Sequence, residues 1–186
     1  MQPKQVYVDH ATFSDGALAE CCRIGDADAF AELYRRYLNP VYRFLFRRTG
    51  GNVSLAEELT SQVFLDALDN LPHYRERGSF AAWLFTIARR RLADHYRKGQ
   101  MDILNEIPDE LFGISDNLED RENMERLKLL LSALDAEKRE LLQLRFSAEL
   151  SFADMAVTLG KSEAAVKMSL YRVLNWLRGQ WEVGNE

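Results

Sequence analysis

Long hydrophobic runs are missing from this sequence. No stretch approaches the roughly 20 consecutive apolar residues that a transmembrane helix needs, and the polar segment from Met1 to His10 has no apolar signal-peptide core. Strict alternation of polar and apolar residues, the pattern of a half-buried β-strand, is not sustained anywhere. These absences argue against a membrane span, a secretion signal and a β-sheet fold, and we expect a cytoplasmic protein.

Residues that commonly carry catalysis or bind metals are scarce and scattered. The two cysteines, Cys21 and Cys22, are adjacent, which suits neither a long-loop disulfide nor a metal site with spaced ligands. We expect reduced, partly buried thiols, with a redox-sensing pair as the alternative. The three histidines, His10, His73 and His95, are far apart, and no glycine-rich phosphate loop or group of nucleophiles accompanies them. The sequence therefore predicts no enzyme, no cofactor, no metal site and no small-molecule substrate.

Basic residues are outnumbered by acidic residues overall but are concentrated in one segment. The 186 residues contain 24 Lys and Arg against 29 Asp and Glu, a formal net charge of −5. Such an average would by itself argue against a nucleic-acid partner. However, residues 75–98 contain seven basic and two acidic residues, whereas residues 99–125 contain one basic and nine acidic residues. The acidity therefore belongs mostly to a connecting segment.

Apolar residues recur three and four positions apart along most of the chain, which predicts an all-α fold. Asn39 and Pro40 predict a stop and a restart, because asparagine favours an N-cap and proline favours the first helical position. The turn sequence TGGN at 49–52 precedes a strongly periodic helix. The predicted helices of the N-terminal half cover residues 15–24, 25–38, 40–48, 54–71 and 83–98.

Changes in composition predict two small helical domains joined by a flexible acidic linker. We place the domains at 1–98 and 126–186 and the linker at 99–125. Up to residue 117 the linker lacks a sustained period and combines glycine and proline with scattered carboxylates, which favours an extended chain. Helical periodicity resumes at Leu118.

The segment WLFTIARRRLADHYRK, residues 83–98, predicts a helix with an apolar and a basic face. The apolar face comprises Leu84, Ile87, Ala88, Leu92 and His95. The basic face comprises Thr86, Arg89, Arg90, Ala93 and Arg97. Arginines beside small side chains let a polyanionic backbone approach closely, so this face is a candidate nucleic-acid surface. The alternative is a solvated face whose arginines pair with carboxylates, although Asp94 is the only carboxylate in the helix.

Three aromatic residues, Tyr74, Phe80 and Trp83, lie in or beside the polar loop that precedes this helix. We expect several of these rings to be half-exposed. Rings beside a cationic groove stack on unpaired bases, at roughly 1–3 kcal/mol per base, and can hold a base that has left the duplex. The alternative is that Phe80 or Trp83 closes the hydrophobic core.

The C-terminal sequence predicts a helix-turn-helix. Ser151 and Asp154 form a capping-box start, Gly160 a stop and Ser162 a second N-cap. In such motifs the second helix enters the major groove of DNA. Its predicted outward residues are Ala164, Lys167, Met168, Tyr171, Arg172 and Asn175, and its predicted inward residues are Ala165, Val166, Leu170, Val173, Leu174 and Leu177. A plain αα-hairpin is the alternative.

The order of these segments resembles that of bacterial sigma factors, specifically the extracytoplasmic-function group of the sigma-70 family. The resemblance covers nearly the whole chain and depends on AEELTSQVFLDALDNL at 56–71, GSFAAWLFTIARRRLADHYRK at 78–98 and LSFADMAVTLGKSEAAVKMSLYRVLNWLR at 150–178. The middle motif is the most specific, because its tryptophan, its Ile-Ala-Arg triplet and its aspartate keep the family spacing. The resemblance implies a promoter-specificity factor for core RNA polymerase that is not an enzyme.

The resemblance also implies a role for each motif. The first would dock onto a coiled coil of the polymerase's largest subunits, through Leu59, Val63, Phe64 and Asp66. The second and its preceding loop would melt and recognise the minus-ten promoter element, through Tyr74, Phe80, Trp83, Arg89, Arg90 and Arg97. The third would recognise the minus-thirty-five element, through Ser162, Lys167, Tyr171 and Arg172. A free monomer is implied, with an anti-sigma factor, often tethered to the membrane, as a further partner.

The sequence differs from the family pattern in three places. Arg90 stands where asparagine is usual, at a position associated with recognition of a minus-ten base. Ser61 and Gln62 replace the usual glutamine and glutamate of the docking helix. The recognition helix lacks the common glycine-threonine and serine-arginine pairs. The promoter sequence therefore stays open.

A stand-alone, dimeric helix-turn-helix regulator with an N-terminal sensing domain is the alternative function. It predicts tight, two-fold symmetric binding to DNA without polymerase. The sigma-factor hypothesis predicts weak promoter binding by the isolated chain, because polymerase must fix the separation of two small tethered domains. The two hypotheses therefore differ in the oligomeric state and in the requirement for polymerase.

Overall fold

The computed structural model describes residues 9–74, 79–99 and 118–183, and the regular elements in these ranges are all helical. The elements are α1 (Asp15–Arg23), α2 (Ala27–Arg48), α3 (Val53–Asn70), α4 (Phe80–Gly99), α5 (Leu118–Ser132), α6 (Ala136–Leu142), α7 (Phe152–Leu159) and α8 (Glu163–Val183). Short helical turns lie at His10–Thr12, Leu71–His73 and Gln143–Ser147. The predicted all-α fold is confirmed. Among the described helices, none has the length and apolar character needed to cross a membrane.

Side-chain caps start seven of these helices. In each case a side-chain oxygen accepts a hydrogen bond from a backbone N–H in the first turn of the helix that follows; the cap residues are Ser14, Asp26, Asn52, Ser79, Asp135, Ser151 and Ser162. Each cap satisfies a donor that the helix itself leaves unpaired, which stabilises the helix by about 1 kcal/mol. Helix starts are therefore fixed mainly by residues within four positions along the chain.

The predicted break at Asn39 and Pro40 is wrong, because α2 continues through both residues. A proline inside a helix removes one backbone hydrogen bond and crowds the preceding turn, at a cost of about 3 kcal/mol. Burial of a continuous apolar face offsets this cost, since each large buried side chain contributes about 1.5–3 kcal/mol. The fully buried side chains of that face are Ala29, Leu33, Val41, Phe44 and Leu45.

The basic helix begins earlier than its sequence predicts. α4 starts at Phe80 rather than Trp83, so the last residues of the predicted loop are helical. The Ser79 hydroxyl accepts a hydrogen bond from the Ala82 N–H at 3.1 Å and so caps the first turn. Residues 75–78 of the predicted loop lie outside the described residues.

α5 begins at Leu118, within the segment assigned to the linker and at the point where periodicity resumes. Arg126 attaches it to the C-terminal helix: the guanidinium donates to the Gln180 carbonyl at 3.1 Å and lies 4.8 Å from the ring centroid of Trp181. Residues 100–117, which carry most of the predicted linker, lie outside the described part of the chain.

One hydrophobic core joins the N-terminal and C-terminal helices. Its fully buried members include Phe44 of α2, Phe85 of α4, Leu144 of the turn after α6 and Met155 of α7. α4 packs against α2, α3 and α7. The two halves that the sequence predicts as separate domains therefore contact each other in this structure, with α4 between them.

The two cysteines lie half-buried at the end of α1, both as free thiols. Burial raises the pKa of Cys22 to about 11, and the neighbouring Asp26 and Cys21 add to the effect. Because the thiolate is the reactive form, Cys22 is protonated and unreactive at neutral pH. This environment favours an inert thiol over a redox sensor.

In a Cys21→Ser protein, we expect iodoacetamide to modify Cys22 very slowly at pH 7.5. The alkylation rate should rise about tenfold per pH unit up to pH 9.5, because the thiolate fraction grows by that factor below the pKa. Quantitative mass spectrometry measures the rate. The same protein unfolded in urea provides the control and should react faster at pH 7.5; equal rates in the folded and unfolded states would contradict the prediction.

Candidate nucleic-acid interface

α4 separates apolar from basic side chains largely as predicted. The buried side chains of its apolar face are Leu84, Ala88 and Leu92, and the half-buried ones are Ile87 and His95. On the basic face, Arg90, Ala93 and Arg97 are exposed, and Thr86 and Arg89 are half-buried. Phe85, absent from the predicted core face, is also fully buried and sets its ring edge against Phe44 at 5.5 Å. Because Thr86 and Arg89 are half-buried, the exposed part of the basic face is narrower than the helical wheel suggests.

Each of the three side-chain nitrogens of Arg89 donates to an acceptor from the C-terminal half. Its Nε and Nη2 donate to the two carboxylate oxygens of Glu140 at 2.8 and 3.2 Å, and its Nη1 donates to the Thr158 carbonyl at 2.7 Å. Glu140 belongs to α6 and Thr158 to α7. The expectation that Arg89 lies on an open surface is therefore wrong for this arrangement, because the part of α4 that carries Arg89 faces α6 and α7.

The other arginines of α4 differ in their accessibility. Arg91 pairs with Asp66 of α3. Arg97 pairs with Asp94 one turn earlier, yet its side chain is 77% exposed, so this contact is weak and easily exchanged. Arg90 is exposed and forms no ion pair with any described residue. Among the arginines of α4, Arg90 and Arg97 are therefore the most accessible to an outside partner.

The three aromatic residues form a cluster at the start of α4. Ring centroids are 5.0 Å apart for Tyr74 and Trp83, 5.4 Å for Phe80 and Trp83, and 5.9 Å for Tyr74 and Phe80. Tyr74 is 8% exposed and Phe80 only 2% exposed, so the expectation of half-exposed rings is wrong for both. Phe80 also contacts Tyr37 of α2, which is why the ring turns inward. Trp83 alone stays half-exposed.

α7 and α8 form the predicted helix-turn-helix. The Ser151 hydroxyl accepts a hydrogen bond from the Asp154 N–H at 3.1 Å at the start of α7. Gly160 ends α7 with a φ of 64°, the left-handed conformation that glycine adopts without strain. The Ser162 hydroxyl then accepts from the Ala165 N–H at 3.2 Å at the start of α8. The short turn thus fixes the angle between the two helices.

The outer face of α8 is open along its length. All six residues predicted to point outward are exposed: Ala164, Lys167, Met168, Tyr171, Arg172 and Asn175. Of the residues predicted to point inward, Val166, Leu170 and Val173 are buried, Leu174 and Leu177 are half-buried, and Ala165 is exposed. Ser162, Lys167, Tyr171 and Arg172 therefore share one accessible helix surface.

Aromatic and cationic side chains extend this surface beyond α8. The Lys167 amine lies 5.9 Å from the ring centroid of Phe152 and 6.0 Å from that of Tyr171. The Arg145 guanidinium lies 5.0 Å from the Phe152 centroid. Such contacts orient cations without neutralising their charge. The sequence interpretation missed Arg145 and Phe152, because only the fold brings them beside the recognition helix.

The residues predicted to dock onto polymerase are mostly inside the protein. Leu59, Val63 and Phe64 are at most 5% exposed, and Asp66 is held by Arg91. In this structure these three apolar side chains present no surface to a partner, so the predicted docking set needs correction. The periodicity of α3 identified its core face. The opposite stripe, called here the docking stripe, comprises the exposed residues Glu58, Ser61, Leu65 and Leu68.

Comparison with protein families identifies both halves of the chain. The model of sigma-70 region 2 matches residues 33–101, which include α3 and α4. The model of sigma-70 region 4 matches residues 124–177, which include the helix-turn-helix. The first match contains the basic helix α4 and the second contains most of the recognition helix α8. Each matched region therefore contains one of the two candidate DNA-binding helices.

Characterised relatives extend the similarity over most of the chain. The ECF RNA polymerase sigma factor BldN of Streptomyces coelicolor is 37% identical over 86% of this chain and 63% of its own length. YlaC and SigM of Bacillus subtilis, both RNA polymerase sigma factors, are each 30% identical, over 78% and 82% of this chain and 87% and 95% of their own lengths. The chain thus spans less than two thirds of BldN and nearly all of SigM.

A solved structure supports the fold. CnrH, in complex with the cytosolic domain of CnrY, superposes with a TM-score of 0.67 at 23% identity, over 91% of this chain and 97% of that one. The relatives, the two matched regions and this fold agree on one order along the chain, in which the basic helix comes first and the exposed helix-turn-helix second. The chain therefore belongs to the extracytoplasmic-function sigma factors of the sigma-70 family.

Proposed function

We propose that this chain binds core RNA polymerase and directs it to promoters with a minus-ten and a minus-thirty-five element. It would do so without a cofactor, a metal or catalysis of its own. The observation that carries this proposal is the open, cationic and aromatic face of α8 in a chain whose other family-matched region contains the basic helix α4. One chain thus has two surfaces suited to two DNA elements.

The minus-thirty-five element is assigned to α8. The capped N-terminus at Ser162 leads into an exposed helix face that carries Lys167 and Arg172. Recognition helices contact base edges near their N-terminal end, while cations farther along and on neighbouring elements hold phosphates. Tyr171 supplies an aromatic ring to this face, and Arg145 a further cation.

The minus-ten element is assigned to α4 and the residues before it. Arg90 and Arg97 are accessible cations, and Trp83 is a half-exposed ring in the first turn of the same helix. Tyr74 and Phe80 support Trp83 from the protein side, so in this arrangement they position the ring that would contact an unpaired base. Arg89 joins this surface only when its contacts with Glu140 and Thr158 are broken.

The docking stripe of α3 is the proposed contact with polymerase. Leu65 and Leu68 are 61% and 47% exposed, and an exposed apolar stripe on a soluble helix is typical of a protein interface. An anti-sigma factor that covered this stripe would block docking, and we propose that such a partner binds here. The substituted Ser61 lies in the stripe and would adjust its affinity.

Replacing Leu65 by aspartate is expected to weaken binding to core RNA polymerase by about tenfold or more, because a buried unpaired charge and a lost apolar contact both act against the complex. Fluorescence anisotropy of labelled protein titrated with core enzyme measures the affinity. Val53→Asp is the control, since Val53 is also an exposed apolar residue of α3 but lies outside the stripe. Equal losses in the two variants would contradict the assignment of the stripe.

Run-off transcription tests the proposed function directly. The purified chain, added to core polymerase and a library of promoter fragments, should produce transcripts from sites that share two spaced elements. A dimeric regulator would instead elute as a dimer on a sizing column and bind two-fold symmetric DNA without polymerase. Initiation that is independent of the added chain would refute the proposal.

A further inference from the structure

Four arginines come together where the end of α2 packs against α6 and the helical turn that follows it. We call them the arginine cluster: Arg43, Arg47 and Arg48 of α2 and Arg139 of α6. Arg47 donates a hydrogen bond to the Ser147 hydroxyl at the end of that turn. Cations from two separate helices therefore lie at one place in the fold.

Few carboxylates oppose the arginine cluster among the described residues. Arg43 lies 3.9 Å from Glu149, but the two side chains are 49% and 77% exposed, so solvent screens this pair. Asp135 attracts Arg139, yet the same carboxylate also pairs with Lys138 at 2.8 Å. The cluster therefore keeps an excess of positive charge.

Arg47 and Arg48 contain buried N–H groups that lack an acceptor. The Nε atom of each is buried without a hydrogen-bond partner among the described residues, and neither side chain forms an ion pair with them. The side-chain carbonyl of Gln143, one turn before Ser147, is also buried and unpaired. Because buried polar groups in folded proteins are nearly always hydrogen-bonded, these three atoms point to a bound polar group.

The carbonyl end of α2 does not supply the acceptors that these arginines need. The C-terminus of a helix carries a partial negative charge and attracts cations in its last turn. However, the Phe46 carbonyl already accepts a hydrogen bond from the Gly51 N–H at 2.9 Å, and the Arg48 carbonyl accepts one from the Tyr96 hydroxyl. The helix end thus explains why arginines gather there but leaves their buried Nε atoms unpaired.

Repulsion within the arginine cluster is a cost that an anion would remove. Burial lowers the pKa of Arg47, and the neighbouring Arg43 lowers it further. Burial likewise lowers the pKa of Arg139, and the neighbouring Arg48 adds to the effect. Both guanidinium groups stay charged at neutral pH, so the chain bears this unfavourable energy in its free form. An anion among them would replace repulsion by attraction.

We propose that the arginine cluster is a binding site for a small anion with two linked phosphates, that is, pyrophosphate, either free or as the diphosphate of a nucleotide. A guanidinium binds two phosphate oxygens through its fork of N–H groups, and a diphosphate has enough oxygens for several arginines. Since Arg47, Arg48 and Arg139 are half-buried, the site suits a small anion rather than a nucleic-acid backbone. None of the four arginines belongs to the surfaces proposed for DNA and polymerase, so this site adds a ligand to the proposed function and does not depend on it.

Arg48→Gln tests this site. We expect inorganic pyrophosphate to bind R48Q at least about tenfold more weakly than the parent chain, because a charge-assisted contact with phosphate is lost. Isothermal titration calorimetry in a magnesium-free buffer measures the affinity. The Tm of free R48Q should equal or exceed that of the parent, since one repulsive charge is gone, whereas pyrophosphate should raise the Tm of the parent more than that of R48Q. A purely structural Arg48 would instead lower the Tm and leave the affinity unchanged, which would overturn the proposal.

Arg35→Gln provides the matched control. Arg35 lies on α2 as well, but it pairs with Glu32 and its side chain is 69% exposed. R35Q makes the same change in net charge on the same helix, three turns before Arg48, so its affinity for pyrophosphate should stay within about twofold of the parent. Equal losses in R48Q and R35Q, or no measurable binding of pyrophosphate to the parent chain, would overturn the proposal.

Gln143→Glu keeps the test decisive if R48Q does not fold. Gln143 lies one turn from both Arg139 and Ser147, so this variant places a carboxylate beside the arginine cluster with almost no change in shape. Q143E should raise the Tm of the free chain and weaken pyrophosphate binding at least about tenfold, because the new carboxylate takes the place of the anion. Unchanged affinity in Q143E would overturn the proposal.

Two further ligands identify the source of the phosphates. Binding of ADP at least as tight as that of pyrophosphate would support a nucleotide ligand, and weaker binding of ADP would support the free anion; both results support the site. A short single-stranded DNA of mixed sequence should not displace pyrophosphate in the calorimeter. Displacement by this DNA would assign the arginine cluster to a nucleic-acid backbone and overturn the proposal. These binding measurements need no polymerase, so their outcome is separate from that of the run-off experiment.

Discussion

Replacing Lys167 and Arg172 together by alanine is expected to reduce promoter-directed transcription by at least about 30-fold. Each DNA contact of this kind contributes about 1–3 kcal/mol, so the pair contributes about 2–6 kcal/mol, and about 1.4 kcal/mol corresponds to a factor of ten. Both side chains are exposed, so the fold should tolerate the change. Run-off transcription with saturating core polymerase measures the loss, and thermal melting checks that the variant is folded.

Arg178→Ala is the matched control for this variant. Arg178 is an exposed cation of α8, but it lies farther toward the C-terminus than the predicted contacts. R178A should reduce transcription by less than about threefold, because a distant charge contributes only screened attraction to DNA. A loss in R178A as large as that in the double variant would show that α8 contributes general charge rather than defined contacts.

Features that depend on nearby residues could be predicted from the sequence. The capping residues Ser151 and Ser162, the stop at Gly160 and the exposed face of α8 all follow from side chains within one or two turns. The same holds for the buried stripe of α4. At these positions the structure is decided by hydrogen bonds between nearby residues and by which side of the helix is apolar. Both can be read directly from the sequence.

Contacts between distant residues could not be predicted in this way. Arg89 and Glu140 are separated by 51 positions, and Ser79 and Asp154 by 75. The wheel of α4 contains a single carboxylate, so it gave no sign that another helix would neutralise Arg89. Phe80 turns inward for a similar reason, since its packing partner Tyr37 lies on another helix. Candidate site residues on a packed helix therefore need the fold before their exposure is known.

The prediction for α3 shows a second reason why site residues are missed. Its most regular apolar stripe contains Leu59 and Val63, and the core takes that stripe because it buries the largest apolar area. A docking surface has to stay outside, so the weaker stripe with Leu65 and Leu68 was the better candidate. A second apolar stripe that stays exposed on such a helix is therefore a candidate for contact with a partner.

Replacing Phe85 by alanine is expected to lower the free energy of unfolding by about 3–5 kcal/mol, because it leaves a cavity in a close-packed core. Phe85 is fully buried and meets Phe44 edge-on at 5.5 Å and 84°. For a chain of this size each kcal/mol lowers Tm by about 2–4 °C, so Tm should fall by about 6–20 °C. Melting followed by circular dichroism measures this shift.

Phe146→Ala gives the comparison that isolates burial from the loss of an aromatic ring. Phe146 is 60% exposed, so its removal should change the free energy of unfolding by no more than about 0.5 kcal/mol. Because α4 contributes to a core shared with α7, F85A should shift one cooperative transition that includes both halves. Two separate transitions, of which F85A moves only one, would show that the contacts between the N-terminal and C-terminal helices add little to stability, whereas equal Tm values for F85A and F146A would contradict the burial of Phe85.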